Sequence, residues 1–129
     1  MASMQYHGKY KMLFPGILSS NSFLSVYVLH LLNRRHTMYG KEIVDGISDN
    51  LQGLWEPSHG LVYPLLRNLE EAGLVIGAWE GNGTKKTKRH YKITEAGKEV
   101  LKEEAVKIKP MFENSQKMIQ CAMDDLYAI

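Results

Sequence analysis

Between Gly81 and Lys92 the chain sets Lys85, Lys86, Lys88, Arg89 and Lys92 beside His90, with no acid among them. Asp45, Asp49, Glu56, Glu70 and Glu71 occupy the stretch before it, so a formal net charge of only +2 hides a very uneven distribution. A cationic run of this kind neutralises phosphates and displaces their counterions when it meets a nucleic acid. The bland alternative is a solvated loop tip, because a basic patch alone is permissive rather than specific. Pro57-Ser58-His59-Gly60 narrows the choice. It opens an apolar-periodic segment with Ser58 as N-cap, and the free amides of a first helical turn favour phosphate, while such a helix fits the major groove of B-form DNA. Ser58, His59 and Tyr63 fall opposite the leucines of that segment, with Arg67 one turn on. Ser58 and His59 are expected near base edges, and Tyr63 and Arg67 nearer the backbone. Tyr63 as a half-buried packing residue and Arg67 as a surface partner of Glu70 or Glu71 are the competing readings.

Other chemistries find little support. His30 and His36 are six apart and no HxxxH or Cys/His cluster occurs, so no metal is expected. Cys121 lies late in an amphipathic segment with no histidine nearby, where a free thiol behaves as a small apolar group. No glycine-rich phosphate loop or paired-carboxylate constellation appears, and the chain is read as a non-enzyme without a cofactor.

These residues need elements to position them. A chain of 129 residues, 44% hydrophobic and 23% charged with four prolines, has the make-up of a single globular unit. A lone cysteine excludes an internal disulfide framework and points to a reducing cytoplasm. Met12 to Asn33 holds no charge, yet Pro15, Gly16, several serines and asparagines and His30 interrupt it, against a membrane span or a signal peptide.

Residues 1–19 show no usable period and are expected to form an N-terminal arm. A first helix follows the Ser20-Asn21-Ser22 cluster, carries Leu24, Tyr27 or Val28, Leu31 and Leu32 at helical spacing, and ends at His36-Thr37. A second spans about Tyr39 to Asp49, with Ile43, Val44 and Ile47 inward and with Tyr39 and Lys41 as further phosphate contacts. The third runs from Ser58 to Ala72 on Val62, Leu65, Leu66 and Leu69. Pro64 should tighten or kink its first half, and Gly73 should end it in the left-handed conformation. Leu74 to Glu80 and Thr87 to Thr94 read as strands around Gly81-Asn82-Gly83-Thr84, a hairpin that would lay Lys85, Lys86, Lys88 and Arg89 along phosphates or into a minor groove.

Thr94 then caps a last helix to about Leu126. Leu101, Ala105, Ile108, Phe112, Ser115, Ile119, Ala122 and Leu126 alternate by four and three, the spacing of a coiled-coil seam, with Met111 and Met118 widening the stripe. At about 1.5 Å per residue this helix outreaches what one small domain needs to cover, so its apolar face asks for a partner chain. Pro110 should bend it. The fold class is therefore mainly α with a small β-hairpin: a winged helix-turn-helix over residues 20–94 and a C-terminal dimerisation helix over 95–129.

Taken in order, Tyr39-Gly40, Trp55-Glu56-Pro57-Ser58-His59-Gly60, Val62-Tyr63-Pro64, Leu69-Glu70-Glu71-Ala72-Gly73-Leu74, Trp79, Arg89-His90-Tyr91 and Ile93-Thr94-Glu95-Ala96-Gly97 resemble the PadR family of bacterial transcriptional regulators, over roughly Phe14 to Leu101. The resemblance implies a homodimeric winged-helix repressor joined through its C-terminal helix, with an effector often loosening its hold on DNA. The single long last helix is similar to the family's short-tailed subgroup. Where many relatives have a small residue before the glycine opening the recognition helix, this chain has His59, which leaves its sequence preference open. Trp55, Trp79, the methionines and Phe112 are candidates for a pocket for a small aromatic effector, against the simpler reading that they fill the core. The function expected is thus a dimeric regulator of a near-palindromic double-stranded DNA operator. A winged-helix module that binds another protein without DNA, and a small-molecule binding protein with vestigial DNA affinity, are the alternatives.

Overall fold

Helix α1 (Ser20–Arg35) is buried on two sides, which explains why residues 20–33 carry no charge. Leu24, Val28, Leu29, Leu31 and Leu32 enter the main core, while Val26 turns the other way into a second apolar cluster. A computed structural model describes residues 20–80 and 88–128; the expected arm at residues 1–19 and the hairpin tip with Lys85 and Lys86 lie outside the described residues.

Arg34 and Arg35 sit in the last turn of α1, where cations complement the helix dipole. The helix ends at His36, whose φ of 70° is left-handed and whose amide reaches back to Leu32 O at 3.0 Å. The next three residues are a strand that the sequence pattern missed. β1 (Thr37–Tyr39) pairs antiparallel with β3 (Arg89–Ile93), which in turn pairs with β2 (Val75–Trp79), so the hairpin becomes a three-stranded sheet of order β1-β3-β2. Three residues are too few to display a period. Met38 pins this strand by entering the core opposite Tyr91, where it is 1% exposed.

Helix α2 (Gly40–Asn50) starts one residue later than expected, because Tyr39 is its cap. The Tyr39 amide donates to Glu42 Oε1 at 2.8 Å, satisfying one of the donors that a helix start leaves free. Helix α3 (His59–Glu71) opens on Ser58 and runs unbroken through Pro64. In the first turn the amides of Leu61 and Val62 both reach Ser58 O at 3.1 Å, a shared acceptor common at helix ends. Gly73 is the expected stop, with φ of 78° and the Leu74 amide donating to Leu69 O at 2.9 Å. Ile43, Val44 and Ile47 of α2 and Val62, Leu66 and Leu69 of α3 meet α1, Val75 and Tyr91 in one core.

Helix α4 (Glu95–Leu126) has 32 residues and continues through Pro110, roughly 48 Å at 1.5 Å per residue. Thr94 Oγ1 accepts from the Gly97 amide at 3.0 Å and donates to Gly73 O at 2.7 Å, tying the helix start to the end of α3. The apolar stripe of α4 divides. Leu101 and Ile108 pack within the chain against Phe23 and Val26 of α1, and Phe112 meets Phe23 edge-on at 5.9 Å. Ala105 lines the groove between the two helices. Beyond it Ser115 and Met118 are half covered, and Ile119, Ala122 and Leu126 are exposed. The units expected at 20–94 and 95–129 therefore share an apolar cluster. Among the described residues no helix is long and apolar enough to cross a membrane.

Candidate nucleic-acid interface

The start of α3 is open to solvent. Ser58, in extended backbone, makes no capping bond with its side chain, and Ser58, His59 and Gly60 are all exposed. Capping by the Ser58 hydroxyl would have satisfied a first-turn amide; left undone, that hydroxyl is available to an incoming ligand. His59 meets Tyr63 one turn on, ring centroids 5.2 Å apart and nearly edge-on. Tyr63 is both a surface and a packing residue. It is 39% exposed, yet its ring covers Gly40 so closely that a Cβ there would run into Cε1. Gly40 thus lets α3 seat against the start of α2. Arg67 is exposed and takes no part in the ion pairs found among the described residues, and Glu70, one of its two expected partners, pairs with Arg89 instead.

Tyr63, Lys41 and Lys88 line one groove of about 480 Å³ between α2, α3 and the root of the hairpin, together with Tyr39, Trp79 and Arg89. Lys41 pairs with Asp45 at 3.0 Å one turn along α2, an exposed pair that a phosphate can displace at little cost. Lys88 Nζ stands 4.4 Å from the centroid of the Tyr39 ring. The Tyr39 hydroxyl donates to Glu80 Oε1 at 2.6 Å, and His90 Nε2 lies 3.1 Å from the same oxygen. The hydrogen bond from Tyr39, then that from His90, holds the Glu80 carboxyl below its ordinary range, and the Glu80 bond raises the Tyr39 hydroxyl in return. Glu80 therefore screens this end of the groove.

Arg89 departs furthest from its sequence assignment. Its guanidinium turns away from the hairpin rim and reaches Glu70 at the end of α3, Nη2 to Oε2 at 2.5 Å. The same oxygen accepts from the Gly77 amide at 3.3 Å. Trp79 and Tyr91 flank the guanidinium, with ring centroids at 5.5 and 5.8 Å. Sequence reasoning grouped Arg89 with the rim lysines and missed Glu70, Gly77, Glu80 and Gly40. The one cue was that Glu70 is an acid on the helix preceding a basic hairpin.

Arg89, and to a lesser degree the Gly77 amide, depresses the Glu70 carboxyl below its ordinary value of 4.5. A carboxyl depressed by folding stabilises the fold above its unfolded value and loses that contribution as pH falls through the folded one. The melting temperature of the wild type is therefore expected to fall more steeply than that of Glu70→Gln as pH drops below 4.5. Parallel curves from pH 6 to 3 in thermal melts would remove this role.

The comparisons with known proteins fall on the same elements. Residues 28–103 match the transcriptional regulator PadR-like family. The negative transcriptional regulator PadR of Bacillus subtilis is 28% identical over 85 residues, 66% of this chain and 47% of that protein, so the chain spans about half the length of this relative. The Bacillus subtilis PadR structure solved in complex with operator DNA superposes with a TM-score of 0.55 at 30% identity, covering 63% of this chain and 46% of that one. A Clostridium thermocellum transcriptional regulator shares the fold, with a TM-score of 0.63 at 24% identity over 77% of this chain and 91% of its own. An open recognition helix, a sheet that carries the hairpin, and a family match across both give the assignment: the chain belongs to the PadR-like family of transcriptional regulators.

Proposed function

We propose that this regulator binds double-stranded DNA sequence-specifically as a homodimer in the cytoplasm, and that it is an effector-responsive repressor of a near-palindromic operator. One observation carries the reading: α3 presents an exposed first turn, with the Ser58 hydroxyl not used in capping, beside a groove edged by Lys41 and Lys88. Ser58 and His59 are placed to meet base edges and the first-turn amides a phosphate. Tyr63, Arg67, Lys41 and Lys88 are placed for the backbone, and Lys85 and Lys86 extend the same cationic edge in sequence. Tyr39 joins them only by giving up Glu80. Repression is supported by the name of the Bacillus subtilis relative, a negative regulator. An aromatic effector is supported by the cleft of about 260 Å³ between α1 and α4, walled by Phe23, Tyr27 and Phe112, with the Trp55 ring tilted against Phe23 at 5.8 Å. Trp79 stands apart from that cleft, in the hairpin groove.

Fluorescence anisotropy against the inverted repeats flanking the gene, with competitor DNA at physiological salt, tests the reading; no preference for any sequence over competitor would end it. Lys85→Ala with Lys86→Ala is expected to weaken binding to all sequences alike and to reduce the slope of log affinity against log salt by about 3.6, two phosphate contacts in each copy of the homodimer at about 0.9 per contact. His59→Ala is expected instead to relax discrimination at one operator position, by about 1–3 kcal/mol.

A further inference from the structure

Arg89 opens β3 on the hairpin, and Glu70 closes α3. They join across Gly77 of β2, and the crossing depends on that residue having no side chain: a Cβ at 77 would lie 2.7 Å from Arg89 Nε and 2.8 Å from Nη2. Glu70 Oε2 holds three elements at one point, since it accepts from Arg89 of β3 and from the Gly77 amide of β2 while standing on α3. Trp79 and Tyr91 flank the guanidinium on the sheet, the stacked and forked setting that arginine fills and lysine does not. The side chains of Glu70 and Arg89 are 31% and 27% exposed, so the pair is partly shielded from water and from salt.

We propose that Glu70, Gly77 and Arg89 form a clamp that fixes the hairpin against the recognition helix, so that Arg89 acts on DNA by positioning the wing rather than by touching phosphate. The proposal rests on the DNA-binding reading given above. A rigid link here sets the separation between the residues on α3 and Lys88 on the hairpin, and both must meet the duplex in register for either to contribute fully.

Two substitutions separate positioning from charge. Glu70→Gln removes a negative charge beside a surface facing a polyanion, so Coulomb attraction alone would tighten binding. Gly77→Ala changes no charge and displaces the guanidinium, which would free it for phosphate. A clamp requires the opposite sign for both: operator affinity falls about tenfold, as for loss of a charge-assisted hydrogen bond, while the salt slope stays at its wild-type value. Arg89→Lys should behave like Glu70→Gln.

Anisotropy titrations at several salt concentrations read both quantities, and the indole NH resonance of Trp79 reports whether Arg89 has left its ring. Equal or tighter binding by Glu70→Gln, or a slope reduced by about 1.8 in Arg89→Ala, one phosphate contact of about 0.9 in each of two copies, overturns the clamp. Glu70→Gln alters a surface side chain and decides the matter if Gly77→Ala does not fold. A wild type without DNA affinity would sink the DNA-binding reading alone. The clamp is then judged on the Trp79 resonance, which must move in both variants and overturns the proposal if it stays in place.

Discussion

Gly97→Ala is expected to be among the most damaging single-methyl changes in the chain, at about 3 kcal/mol of stability, the upper end of what overpacking costs. A Cβ at position 97 would run into the carbonyl oxygen of Leu74 and come within 2.7 Å of Ile93 Cγ1. The first obstacle is backbone, and it cannot turn aside as a side chain can. Leu74 O is also held in place, because it accepts from the Thr94 amide at 3.0 Å. Relief requires lifting the start of α4, which also strains the Thr94 cap on Gly97 and its bond to Gly73 O. Alanine is the better helix former by about 1 kcal/mol, so steric cost and propensity oppose each other, and the sterics win. A loss of this size shifts the melting temperature by roughly 10 °C for a chain of this length.

Gly60→Ala is the matched control. A Cβ there meets only Ser58 Oγ at 3.9 Å, and the same propensity gain should then appear, a rise of about 0.5–1 kcal/mol. Differential scanning calorimetry at one protein concentration checks both. A Gly97→Ala chain that melts with the wild type would mean that the approach of α4 to the end of α3 is looser than the geometry requires.

The same contacts indicate what a sequence can and cannot disclose. Helices with one buried face were legible: the stripe of α2 on Ile43, Val44 and Ile47 and the αL stop at Gly73 stand where spacing and backbone preference put them. The α1 segment, uncharged as far as Asn33, was ambiguous because its apolar residues surround it, and only the tertiary fact that α2 and α3 cover one side and α4 another accounts for that. β1 was invisible, since three residues carry no period and its pairing with β3 comes from far along the chain. In the candidate site, exposed residues on a regular face could be read from position, as with His59, Tyr63 and Arg67 on α3. Arg89 could not. Its neighbours in sequence are basic, whereas its neighbours in space are an acid 19 positions away and a glycine whose missing side chain makes room. Charge counted along the chain does not disclose such a pairing when the fold supplies the counter-charge from another element.

The largest effect on function is expected from the distal half of α4. Successive members of the set Phe112, Ile119, Met123 and Leu126 lie about two turns, one turn and less than one turn apart, and they are 36, 48, 49 and 71% exposed in the single chain. Full burial of such side chains contributes about 1.5–3 kcal/mol each, and a twofold-symmetric pairing uses every one of them twice. The smaller positions suit the same seam. Ala122 allows close approach, and the Ser115 hydroxyl already donates to Met111 O at 2.7 Å, so it can be covered without losing a partner. Ile119→Asp with Met123→Asp would place four carboxylates in that apolar contact, and burial of unpaired charge is prohibitive. The variant is expected to be a monomer at micromolar concentration by sedimentation velocity, with its helical circular dichroism retained, because neither position belongs to the protomer's core. Its affinity for a palindromic operator should fall by about 10²–10⁴-fold, the loss incurred when two linked half-site contacts become one. Persistence of the dimer would place the seam elsewhere on the molecule. A monomer that held the palindrome as tightly as the wild type would mean that one recognition helix suffices, and the twofold operator would lose its physical basis.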